Sequence, residues 1–237
     1  MYRSIFIILV IDFCFLRPQL HNGHLKKIND TVFISKGIIS KYCHAVYIEP
    51  NHQSKKYETV LDFKMDCNEN EEYLENYRAL KKRIKYPLKT YNLINLPKEW
   101  VPLYRYKSKY YTYYPSDPGN LGRRILTDST MIYWYMDGPS LKPFRTVKQI
   151  NGCTWYFKIH PTRLDNNDAE LIIHVIGSKN KIAVWENTSA PAAYRYELYV
   201  PRENAGNFDM IVNECKQNKE PEFLFDEIDF AALLKGN

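Results

Sequence analysis

The sequence predicts an α+β protein that is mainly antiparallel β, with a meander or barrel-like C-terminal part and a packed C-terminal helix. Three observations lead there. The 237-residue chain holds 20 Tyr and is 15% aromatic but has only 9 Gly, and large flat rings suit a pleated, half-buried surface. From Leu96 onward, short alternating runs follow one another between proline, glycine and asparagine clusters, which is the spacing of hairpin-connected strands. Apolar residues at helical intervals are confined to a few stretches. A chain that is 45% hydrophobic and 25% charged, with mean hydropathy −0.49, buries a core; wholesale disorder, a polytopic membrane protein and a collagen-like fibre are excluded.

Residues 1–20 read as a signal or anchor segment, 25–95 as a mixed N-terminal segment and 96–237 as the β-rich domain. Met1-Tyr2-Arg3 followed by Ser4 to Ile11 has the form of a basic region leading into an apolar one, too short to span a bilayer comfortably. On that reading the protein is extracytoplasmic or associates with a membrane through residues 4–16. The other reading is a buried strand in a cytoplasmic protein, since Asp12 interrupts the run, no small-residue cleavage site follows, and a β-branched run also suits a sheet covered on both faces.

Thr31 to Ser35 and Tyr42 to Ile48 are predicted strands, the second ending at Pro50, where a missing N–H stops pairing. The spacing of Tyr73, Leu74, Tyr77, Leu80 and Ile84 predicts a helix over 69–86 that ends at Pro87. Its acids come first and its bases Arg78, Lys81, Lys82, Arg83 and Lys85 last, which complements the helix dipole. Net charge is +6 overall, and counting by halves gives +7 for 1–118 and −1 for 119–237. On this helix the five bases are nearly balanced by four acids, and the charge gradient accounts for its basic cluster as a solvated face without a nucleic-acid partner.

Trp100 to Tyr106 and Lys109 to Tyr114 read as strands flanking Lys107-Ser108, and Arg124 to Thr127 and Thr130 to Met136 follow the turn cluster Pro115 to Asn120. Asn151-Gly152 predicts a two-residue type I′ hairpin turn between Phe144 to Ile150 and Cys153 to Ile159. That register opposes Lys148 to Trp155 and Thr146 to Phe157 on one face. Leu171 to Ile176 and Lys181 to Glu186 form a second predicted hairpin, and Tyr194 to Val200 a last meander strand. A helix is expected over 203–216, because Phe208, Ile211, Val212 and Cys215 fall on one stripe. Glu222 to Phe225 reads as a final strand and Asp226 to Leu234 as a short terminal helix.

Signatures of catalysis are absent: there is no GxSxG, P-loop, HExxH or strand-linked GxGxxG. No catalytic residue and no cofactor is assigned, and the chain reads as a binding protein more readily than as an enzyme; a hydrolase built from dispersed residues is the reading left open. Cys14, Cys43, Cys67, Cys153 and Cys215 lack zinc-ligand spacing, so no metal is expected; they read as scattered buried thiols or as up to two disulfides. The run from Tyr104 to Tyr114 interleaves rings with Arg105, Lys107 and Lys109, a combination used on single-stranded nucleic acid. The simpler reading is an amphipathic hairpin whose rings partly bury while hydroxyls reach water.

From Leu96-Pro97-Lys98-Glu99-Trp100 through the run of hairpin-connected strands to an outer helix, the chain resembles the lipocalin-like (calycin) β-barrels. Trp100 takes the place of the tryptophan in that family's first strand, with Lys98 where the family has glycine. The resemblance covers roughly the C-terminal 60% of the chain and implies a barrel holding a small apolar or amphipathic ligand. Trp155, Phe157, Lys148, Tyr133 and Tyr196 are then the expected ligand-binding residues. The alternative is an interaction or inhibitor-type protein without a pocket, whose partner is another protein met by a tyrosine-rich surface.

Overall fold

The computed structural model describes residues 32–39, 42–84, 87–117, 119, 121–135, 138–161, 168–215 and 222–235. The expected signal or anchor segment lies outside them. Eight strands close into an antiparallel barrel: β3 (Glu99–Pro102), β6 (Arg124–Leu126), β7 (Thr130–Tyr135), β8 (Gly138–Asn151), β9 (Thr154–Ile159), β10 (Ala169–Ile176), β11 (Ile182–Asn187) and β12 (Tyr196–Pro201). Each pairs with the next, and β12 closes on β3 through Tyr199 with Pro102, Val200 with Val101 and Pro201 with Trp100. This is an up-and-down order of antiparallel neighbours, with an excursion through an outer sheet between β3 and β6, and closure leaves no strand edge.

Alternation along the strands sends one set of side chains inward. Trp155 on β9, Ile173 on β10 and Trp185 on β11 stand in register, and with Trp100, Phe144, Phe157, Met131 and Leu126 they fill the interior. Trp100, Phe157 and Ile173 are fully buried, each contributing on the order of 1.5–3 kcal/mol of transfer free energy. The outward residues Val101, Val184, Leu198 and Val200 are buried as well, because a second layer covers that wall.

The second layer is a five-stranded sheet in the order β1 (Val32–Ile39), β2 (Tyr42–Glu49), β13 (Met210–Cys215), β5 (Lys109–Tyr114), β4 (Tyr104–Tyr106). It joins strands from both ends of the chain. Its Met210 and Val212, together with Tyr57, Val60 and Phe63 from α1 (Lys55–Leu61) and its C-terminal flank, pack on the barrel wall. The opposite face, with Val46, Tyr111, Tyr113 and Ile211, receives Phe223 and Phe225 of the C-terminal segment.

Four expectations are corrected. The predicted helix over 203–216 is a four-residue turn of helix, α3 (Arg202–Ala205), followed by β13. A stripe spaced i, i+3, i+4, i+7 also occurs in a strand buried on both faces, and Met210, Ile211, Val212 and Asn213 are all fully buried between β2 and β5. The single strand Trp100 to Tyr106 is broken at Leu103, with β3 in the barrel and β4 in the outer sheet. The hairpin between β8 and β9 turns on Gly152-Cys153, neither Asn151 nor Gly152 has positive φ, and register shifts on β8 oppose Lys148 to Tyr156 and Gln149 to Trp155. A one-residue slip exchanges faces, so Lys148 points outward and is exposed. The two-residue turn with positive φ at both positions is Lys107-Ser108, φ 46° and 66°, between β4 and β5. Finally, Cys67 and Cys153 are exposed free thiols, one opening a helix and the other in a turn, where solvent rather than core surrounds them.

The long helix α2 (Cys67–Arg83) starts two residues before its predicted position because Asp66 and Glu69 form a reciprocal capping box. Glu69 also accepts a 2.9 Å hydrogen bond from the Trp134 indole, and the Asn76 amide donates to Pro139 O at 3.2 Å, which docks the helix on the barrel. The C-terminal segment crosses the edge strand β4: Asp226 N donates to Arg105 O at 2.9 Å, and Lys107 N donates to the Asp226 carboxylate at 2.7 Å. It ends in α4 (Phe230–Lys235). No helix among the described residues is long and apolar enough to cross a membrane.

Candidate functional site

The site lies where the barrel wall is interrupted. Leu103 N still donates to Leu198 O at 2.8 Å, and the chain then turns away into β4, so Tyr196 and Glu197 of β12 stand beyond the last bond from β3. Tyr104, the first residue of β4, and Ile228 and Phe230 of the C-terminal segment draw up to the gap. Together with Tyr196, Glu197 and Tyr199 they line a crevice of about 170 Å³.

Behind it stands Arg124 of β6. Gly122, at φ 67°, turns its carbonyl back to accept from Arg124 Nη1 at 2.8 Å, and Arg123 O accepts from the same nitrogen at 3.2 Å. The guanidinium lies 4.0 Å from the Tyr133 ring centroid and 5.7 Å from that of Tyr199, stacked contacts that suit a weakly hydrated planar cation. Arg124 Nη2 is 3.7 Å from Glu197 Oε1, and the Tyr199 hydroxyl donates to Glu197 Oε2 at 3.2 Å. The two partners differ in access: the Arg124 side chain is 8% exposed and that of Glu197 is 52% exposed. Burial, reinforced by Glu197, pushes the Tyr104 phenol up to about 12. Burial also holds Tyr199 well above the ordinary phenol value. Both hydroxyls are therefore neutral donors at physiological pH.

A second cleft of about 360 Å³ shares Leu198 with the crevice. Its walls are Ile176, Ile182 and Tyr110, with Ala232 and Leu233 of α4 on top. The C-terminal segment thus walls both spaces. A wider groove of about 600 Å³ follows α1, but it carries Lys55, Lys64 and Arg202 beside Glu58 and Asp62, and such mixed, solvent-open charge selects no ligand.

The expected binding residues fall in three places. Trp155 and Phe157 are buried in the barrel interior, clustered with Phe144 and Ile173. Lys148 is on the outer surface. Tyr133 carries the Arg124 guanidinium, and Tyr196 lines the crevice, stacked on Phe230 at 5.3 Å with its hydroxyl donating to Glu186 at 3.1 Å. Arg124, Glu197, Tyr199 and Phe230 were not singled out in the sequence, and Tyr104 only as part of the ring-and-base run from Tyr104 to Tyr114. Alternation in Tyr196-Glu197-Leu198-Tyr199 separates Glu197 and Tyr199 from Leu198, but only the closed barrel makes theirs the inner face. Among the described residues, no group of His, Cys, Asp and Glu is arranged to hold a metal ion.

The tyrosine-rich hairpin β4–β5 is taken up within the protein. Tyr104 stacks on Phe225 at 4.4 Å, Tyr106 meets Phe223 at 5.3 Å and Tyr113 meets Phe225 at 5.0 Å. The fold therefore defines a closed eight-stranded antiparallel barrel compatible with a calycin-like architecture, with an aromatic, charged crevice at its rim. Comparison of the chain with protein-family models, with curated proteins and with solved structures gives no match in any of the three.

Proposed function

We propose that this protein is a binding barrel for a small amphipathic ligand, held at the rim and not in the barrel centre. The observation that carries this reading is the pairing of two adjoining spaces. The crevice offers Glu197 and the Tyr104 and Tyr199 hydroxyls, and the cleft beside it offers Ile176, Ile182, Leu198 and Leu233. Concave, mostly apolar walls with a few convergent polar groups are the usual form of a small-molecule site. Trp155 and Phe157 are buried among the rings of the barrel interior, whereas the rim crevice is open, and the self-covered tyrosine hairpin argues against a tyrosine-rich docking face.

The test is a fluorescence titration with N-phenyl-1-naphthylamine, a neutral apolar probe, alongside native mass spectrometry of the purified chain. Saturable uptake of one equivalent, weakened by Leu233→Asp and unaffected by Lys148→Ala, is the expected result. An absence of saturable uptake overturns the reading.

A further inference from the structure

We infer that the polar end of the ligand is an organic cation, an alkylammonium group received by Glu197 within the aromatic walls of the rim crevice. This rests on the binding-barrel reading above and adds the charge of the ligand. Glu197 and Arg124 form the ion pair at the crevice, and their exposure decides which of the two a ligand meets. The carboxylate is half open to solvent, whereas the guanidinium is enclosed by the Tyr133 and Tyr199 rings and bonded to two carbonyl oxygens. An incoming anion would have to pass Glu197 to reach Arg124. An incoming cation meets Glu197 first.

The walls have the same preference. Tyr104, Tyr196, Tyr199 and Phe230 are among the residues that line the crevice, and aromatic walls attract ammonium groups electrostatically, most strongly where water is excluded. Glu197 uses one oxygen toward Arg124 and the other toward the Tyr199 hydroxyl, but an ionised carboxylate has about four acceptor positions, so capacity remains for a further donor or for ion pairing. At Tyr104 the carboxylates of Glu197 and Glu222 act against the single charge of Arg124, while at the Tyr196 hydroxyl Glu186 and Arg195 oppose each other. The small volume of the crevice, about 170 Å³, fits a compact head group, with the chain directed along Leu198 into the apolar cleft.

Three probes with one six-carbon chain separate the possibilities: hexyltrimethylammonium, 1-hexanol and hexanoate, each competing against N-phenyl-1-naphthylamine on the full chain. The cation is expected to displace the dye about tenfold more tightly than the alcohol, with hexanoate weakest. Glu197→Gln should bring the cation to the level of the alcohol, and Glu197→Asp should retain part of the preference. Equal displacement by cation and alcohol, or a preference for hexanoate, overturns the inference while leaving the binding barrel intact. If the dye itself finds no saturable site, both readings fall. The comparison among the three probes on the unaltered protein stands even if the Glu197 variants fold poorly.

Discussion

In the barrel every strand has two hydrogen-bonded neighbours, so Trp100, Phe157 and Ile173 are enclosed by continuous walls. The five-stranded sheet instead ends in β1 and β4, and Tyr111 and Tyr113 are enclosed with help from Phe223 and Phe225, laid across them by the returning chain. Both regions bury aromatic rings, yet one is shielded by topology and the other by a detachable piece of sequence. The difference places the site: the crevice opens where β3 abandons the closed wall and the C-terminal segment has to serve as its replacement.

The largest effect that would sharpen this contrast is in the barrel centre. Phe157→Ala should cost about 3–5 kcal/mol in urea unfolding, because its enclosed site cannot collapse onto the gap. Phe225→Ala on the outer sheet should cost about 1–2 kcal/mol, half-buried as it is, and should speed amide exchange at Lys107 N, which depends on Asp226. Equal costs at the two positions would break the distinction between a closed wall and a clasp.

Within the barrel the two central tryptophans, 5.6 Å apart, differ in how their indoles are satisfied. Trp100 Nε1 donates to Pro97 O at 2.7 Å, whereas Trp185 Nε1 is buried without a partner among the described residues. Trp100→Phe should therefore cost about 1 kcal/mol more than Trp185→Phe, which removes an unsatisfied donor.

A cluster near the ends of β8 and β9 supplies a pH dependence. Burial, and then the charge of Arg145, hold the His160 imidazole below its ordinary value. The unfolded chain thus takes up this proton more readily, and stability should fall as pH drops below about 6.5 toward the depressed folded value, by less than about 1.4 kcal/mol per pH unit. His160→Gln should flatten that limb of a stability-versus-pH curve. Asp168 acts at lower pH: burial would raise its carboxyl, but the hydrogen bond from Lys158 and the Arg145 charge outweigh this and hold it down. Its stabilisation is present above the unfolded value and is lost as pH falls through the folded one. The smallest effect is expected at Lys148→Ala, within about 0.5 kcal/mol in the same unfolding measurement, since the side chain only meets solvent.

Strands whose alternation is visible in one dimension were legible. Lys109–Tyr114 has its predicted bounds, and the hairpin from Leu171 to Glu186 shifts by only a residue or two. Closure of the barrel was foreshadowed by the run of hairpins and by Trp100 near its start. Three kinds of feature were not legible. Bulges on β8 leave no mark in the local pattern, so Asn151-Gly152 led to the wrong partner for Lys148. A central strand such as β13 has apolar residues on both faces, which erases the period that would tell it from a helix. The rim cluster depends on contacts such as Arg124 with Glu197 and Tyr104 with Phe225, separated by 73 and 121 positions, and tertiary closure alone brings them together.

The place of β13 also orders the assembly of the chain in time. All eight barrel strands lie between Glu99 and Pro201, so a chain growing from its N-terminus holds a complete barrel before Met210 has been made. The outer sheet cannot form its centre until then, because β2 reaches β5 only through β13, pairing Cys215 with His44 across most of the sequence. Contacts of such long range are slow to form. During synthesis the hairpin of β1 and β2 must wait, its β2 edge unpaired, until Met210–Cys215 has been made.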